Sequence, residues 1–184
     1  MPPRIYRREL EVAVSAAKEA GRILVEGAKH LPKIEIKPDR SPVTRLDRLS
    51  EATIARMILA AFPDDAILGE EGGGREGTSG RRWIVDPLDG TRPFLRGIPT
   101  YSVLIALEDA GETVVGCMYF PAIGECYTAA KGQGAFRDGR RIRVSKTSCV
   151  MGGSAPTFSK KSLRSFAVLN MAAAFSPRYG MPAS

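Results

Sequence analysis

Residues 83–94 read WIVDPLDGTRPF, and the fold and chemistry of the chain are read outward from them. The apolar lead-in Trp83-Ile84-Val85 predicts the end of a buried strand. Asp86 and Asp89 follow, separated by Pro87 and Leu88, and Gly90-Thr91 comes next. Pro87 cannot donate to a strand ladder, so the backbone is expected to turn there and bring both carboxylates to one rim. Two carboxylates and a turn carbonyl are hard oxygen donors, the set that Mg²⁺ or Mn²⁺ prefers. Gly90 allows a phosphate close to the backbone, with the following amides turned to the anion. The same Asp-Pro-x-Asp-Gly pattern is also ordinary turn chemistry, so it needs support from elsewhere in the chain.

Two helices are expected before this stretch. Leu10, Val14, Ala17, Ala20, Leu24 and Ala28 recur at helical spacing between Arg7 and Lys29. Ile34 and Ile36 alternate with charges within Leu31–Asp39, an extended segment. A second helix is predicted from Thr44 to Phe62, stopped by Pro63. Asp47, three residues after Thr44, fits a capping box, and the same placement puts a carboxylate at the mouth of a site. Ala66–Glu71 predicts a short strand ending in Glu70 and Glu71. Solvated charge is the plain reading of both acids, but the next strand ends in acids too. The glycines at 72–74, 77 and 80 predict a flexible surface loop.

After Phe94, strands are expected at Tyr101–Glu108, Thr113–Phe120 and Glu125–Ala130, with a hairpin turn at Asp138-Gly139 and a closing strand at Ile142–Val144. Two helices followed by clustered strands predict an α+β fold, helices packed on a largely antiparallel sheet. Leu163–Phe175 reads as one short helix, and Ser176–Ser184 as loose chain.

Composition narrows the function classes. With 184 residues, the chain can bury a real core. It has no apolar run of membrane-spanning length, and residues 1–30 lack a signal-peptide core, so no membrane association and a cytoplasmic location are expected. Cys117, Cys126 and Cys149 show no C-x-x-C spacing, which argues against a zinc knuckle or disulfide framework. His30 is the only histidine, leaving a Ser- or Cys-His nucleophile unsupported. Residues 1–138 carry 19 basic and 20 acidic residues, a net of −1, whereas residues 139–184 carry 8 basic residues and no acid. The basicity is therefore local, and without interleaved aromatics it argues against nucleic-acid binding.

Val43-Thr44-x-x-Asp47, Gly69-Glu70-Glu71 and Trp83–Thr91 with Phe94, in that order, resemble the inositol monophosphatase family within the lithium-sensitive, Mg²⁺-dependent phosphatases. Gly132–Phe136 is similar to a hairpin those enzymes carry, and the likeness extends over roughly residues 7–150. The resemblance implies the N-terminal part of a layered sugar-phosphatase fold, with the second α/β part incomplete. It divides the chain into a metal- and phosphate-binding α+β domain, 1–150, and a basic, incomplete or divergent segment, 151–184. It implies Mg²⁺ as cofactor, two or three ions, held by Glu70, Asp86, Asp89 and the Leu88 carbonyl. Asp47, Glu70 and Thr91 take catalytic roles, Thr91 pairing with Asp47 to orient the attacking water. Gly90, Thr91 and, near the position of a family lysine, Lys37 hold the phosphate. The implied substrate is a phosphorylated small alcohol such as inositol monophosphate, and the implied assembly is a homodimer.

Two departures bear on substrate and activity. Where the family pattern continues Asp-Gly-Thr-x-Asn-Phe, this chain has Arg92-Pro93-Phe94, closer to the histidinol-phosphate phosphatase branch; bisphosphate nucleotidase is a further alternative. The family's Trp-Asp-x-Ala-Ala/Gly motif, whose Asp binds the second metal, has no counterpart: Trp83 is the only tryptophan and no acid follows Asp138. The alternative expectation is a truncated, catalytically weak binding remnant, slowed by orders of magnitude.

Overall fold

A computed structural model describes residues 5–30, 34–36, 38, 42–72 and 74–143. The elements run α1 (Arg7–Gly27), β1 (Ile34–Ile36), β2 (Pro42–Thr44), α2 (Arg45–Ala61), β3 (Ala66–Gly69) and β4 (Arg81–Asp89). They continue with α3 (Thr91–Leu95), β5 (Ser102–Asp109), β6 (Glu112–Phe120), β7 (Glu125–Ala130), β8 (Gly134–Arg137) and β9 (Arg140–Ile142). Strands β3 to β9 form one seven-stranded sheet in sequence order, while β1 and β2 pair as a small separate ribbon. Only β3 and β4 pair in parallel; the other neighbours in the large sheet are antiparallel. This is the α+β class expected. The expected helix at Leu163–Phe175, the loose chain at Ser176–Ser184, Lys37 and the division at residue 150 all lie outside the described residues.

Both long helices cover the sheet: α1 packs on β5, β6 and β7, and α2 on β4. The buried face of α1 is built from Ala13, Ala16, Ala17, Ala20, Gly21 and Leu24, small residues that let the helix settle close to the strands. A Cβ on Gly21 would stand 2.6 Å from the Tyr119 ring and 2.9 Å from Pro121 Cβ. Trp83 is fully buried and stacks on Phe62, ring centroids 5.7 Å apart. Among the described residues no helix is long and apolar enough to cross a membrane.

One polar hub locks the start of the sheet to the helices. Arg81 grips Asp65 with two nitrogens, Nε at 2.9 Å and Nη2 at 2.7 Å, and reaches Glu9 of α1 with Nη1 at 2.8 Å. Ser79 Oγ and Trp83 Nε1 also donate to Asp65, at 2.7 and 2.8 Å. Burial alone would raise the Asp65 acid, but the bonds from Arg81, Ser79 and Trp83 outweigh it and hold it below the usual carboxylate range.

Two sequence expectations are corrected. Pro87 does not end the strand, since β4 runs on to Asp89. Asp86 faces Leu104 and Asp89 faces Ser102, so three steps on β4 oppose two on β5. The extra residue makes a bulge, a place where a proline costs no ladder bond. The glycine-rich loop is anchored rather than free. Ile67 and Arg75 exchange two backbone bonds of 2.8 Å, and the amides of Thr78 and Ser79 donate to the Asp64 carbonyl. Gly77 permits this, because a Cβ there would lie 2.3 Å from the Ala66 nitrogen.

Candidate active site

The parallel pairing of β3 and β4 gathers the acids. Gly69 is the register partner of Val85, so Glu70, the first residue past β3, comes beside Asp86, the next residue on β4. The Glu70 amide donates to the Val85 carbonyl at 3.2 Å. The Glu70 carboxyl lies close enough to Asp86 to favour the acid form of Asp86. Asp86 is buried, and its acid is pushed well above the usual range by that burial, then by Glu70 and Asp89. Asp89 is raised as well, by burial and by Glu70, against a 3.3 Å bond from Ser102 Oγ that favours the ionised form.

The bulge turns the backbone between them. Leu88 N donates to Asp86 Oδ1 at 3.2 Å, and the Leu88 carbonyl accepts the Thr91 hydroxyl at 3.3 Å. Gly90 then takes φ +87°, the left-handed conformation that favours glycine, and opens the five-residue helix α3 with Thr91 as its first residue. A side chain at Gly90 would also press on the Thr100 carbonyl, 3.3 Å from the Cβ position. No helix is expected from the sequence over Thr91–Leu95, so this short one is an addition. Its signal, a Gly N-cap with the Phe94 amide bonded back to the Gly90 carbonyl, is weak in five residues.

Asp47 sits in the first turn of α2 as the capping box requires. Its Oδ2 accepts the Thr44 amide at 2.9 Å and the Thr44 hydroxyl at 2.6 Å, while Thr44 Oγ1 accepts from Leu46 N. Glu51, one turn further along the same buried face, went unnoticed in the sequence. Its Oε2 accepts the Glu71 amide at 2.7 Å, so that amide bonds to a buried side chain. The signal was the Asp47/Glu51 spacing of four, which places both acids on one helix face.

Among the described residues, no three His, Cys, Asp or Glu side chains are spaced to hold a metal ion as they stand. The donor chemistry fits one nonetheless. Asp86 is buried beside the carboxyls of Glu70 and Asp89, and a divalent cation is the partner that relieves such crowding of acidic oxygens.

The matching profile spans residues 6–175. The chain belongs to the inositol monophosphatase family. A histidinol-phosphatase of Chlorobaculum parvum is 44% identical over 139 residues, covering 74% of this chain and 53% of that protein. An inositol-1-monophosphatase of Mesorhizobium japonicum is 45% identical over 138 residues, 73% of this chain and 52% of its own length. The crystal structure of the extragenic suppressor protein SuhB from Bartonella henselae superposes with a TM-score of 0.74 at 40% identity, covering 76% of this chain and 55% of that one. The chain thus spans about half the length of the family relatives it matches.

Proposed function

We propose that the chain carries the metal- and phosphate-binding part of a Mg²⁺-dependent phosphomonoesterase acting on a phosphorylated small alcohol. The observation that carries this reading is the meeting of Glu70, Asp86 and Asp89 at the ends of two parallel strands, each aspartate held toward its acid form by burial and neighbouring charge. Glu70, Asp86, Asp89 and the Leu88 carbonyl would hold two or three Mg²⁺ ions; when bound, these neutralise phosphate charge and acidify an attacking water. The chain's own groups do the positioning. Asp47, fixed by Thr44, and the Thr91 hydroxyl, fixed at the start of α3, would orient that water. The Gly90 and Thr91 amides, with Lys37, would bind phosphate oxygens.

A second substrate reading, histidinol phosphate, is favoured by Arg92-Pro93 and by the likeness to the Chlorobaculum parvum protein. Arg92 lies exposed in α3, next to the proposed phosphate site. The test is phosphate release from inositol 1-phosphate, histidinol phosphate and a 3′,5′-bisphosphonucleoside, with Mg²⁺ and with EDTA. Mg²⁺-dependent release from the first or second is expected, and EDTA should abolish it. Release that ignores EDTA, or none from any substrate, would refute the proposal.

A further inference from the structure

We infer that Glu51 is a positioning residue for Glu70: its carboxyl braces the backbone that aims the Glu70 side chain at Asp86. The inference rests on the reading of Glu70 as a metal ligand. Three observations carry it. Glu51 lies in α2 with only 3% of its surface exposed, where an apolar residue would pack at lower cost. Its Oε2 takes the Glu71 amide at 2.7 Å, on the C-terminal side of Glu70. On the N-terminal side, the Gly69 backbone is so close that a Cβ there would stand 2.4 Å from the Glu51 Cδ and 2.6 Å from each carboxyl oxygen. Gly69 is therefore glycine because the Glu51 head occupies the space of a side chain.

The consequence follows from where the sheet ends. Strand β3 stops at Gly69, and the Glu70 amide still bonds to Val85, but Glu71 has left the sheet. Without Glu51 the chain beyond Glu70 would be held to α2 by no bond from that side chain, and the Glu70 carboxyl would sample a wider range. Outer groups that fix a ligand in this way commonly govern metal affinity by about tenfold or more.

The test is Mn²⁺ binding, followed by electron paramagnetic resonance, to the full 184-residue chain and to its Glu51→Ala, Glu51→Gln and Glu70→Gln variants. Hydrogen exchange at the Glu71 amide is read in parallel. Glu70→Gln should lose Mn²⁺ binding. Glu51→Ala should weaken it by about tenfold and speed exchange at Glu71. Glu51→Gln keeps an acceptor for that amide and should stay within about threefold of wild type, with Glu71 protected, a rescue that tells positioning from charge. If Glu51→Ala does not fold, Glu51→Asp, whose carboxyl is withdrawn by one methylene, should show the same loss. Wild-type affinity in Glu51→Ala or Glu51→Asp, or equal losses in the Ala and Gln variants, would overturn the inference. Unchanged binding in Glu70→Gln would overturn the ligand reading, and the inference with it.

Discussion

Asp86 is held in tension between two states. Burial and its acidic neighbours disfavour its charge, so its folded-state acid is weaker than in the unfolded chain. A carboxyl raised in this way stabilises the fold below its ordinary range, near about pH 4, and loses that contribution as pH rises through the raised value. Asp86→Asn removes the charge while keeping the shape. In EDTA at neutral pH the variant should melt about 2–6 °C above wild type, and the gap should narrow as the pH approaches 4. Adding Mg²⁺ should reverse the order, raising the wild-type Tm by mass action and leaving the variant unmoved. Thermal melts in EDTA and in Mg²⁺ read both halves. The three acids were legible in the sequence because each ends a strand-like run. Glu51 was not, because an acid inside a helix pattern reads as one more exposed charge until the neighbouring backbone is seen.

At the level of elements, the Arg81 guanidinium at the start of β4 joins Glu9 of α1 to Asp65, just past the end of α2. The Asp65 acid is lowered, so its contribution to stability is fully present above the ordinary carboxylate range and is lost as pH falls through the lowered value. Asp65→Asn breaks a buried charge pair and should cost about 3 kcal/mol at pH 7. Urea titrations from pH 7 to pH 3 should show that cost intact to about pH 4 and shrinking below it. Most element positions were readable from periodicity: α1 and α2 fall within two residues of expectation at both ends, and β7 matches its expected limits. The break of β4 at Pro87 was misread, because whether a proline stops a strand depends on a bulge that only the partner strand β5 defines. Asp65 gave no sign either, since three of its donors, Ser79, Arg81 and Trp83, come from 14 or more residues away.

Across the whole molecule, helix-to-sheet spacing is set by the small face of α1. Gly21→Ala should gain about 1 kcal/mol in helix propensity. It also forces a methyl group against Tyr119 and Pro121, and overpacking of this kind costs about 1–3 kcal/mol. Because the ring and the proline are poorly placed to yield, the clash should win, and the urea midpoint should fall. The class of fold was legible at this scale because two amphipathic helix patterns precede a run of strands. The parallel pair was not, since strand order and direction leave no local mark. Had β3 and β4 met as a hairpin, Glu70 and Asp86 would stand at opposite borders of the sheet. The anchored return through Arg75 and Gly77 reverses the path first, so that both strands discharge in the same direction. The nine residues between Glu71 and Arg81, none of them given a role in the chemistry, thereby decide that two acids become neighbours, and lengthening or trimming them would scatter the pair with every acidic side chain still present.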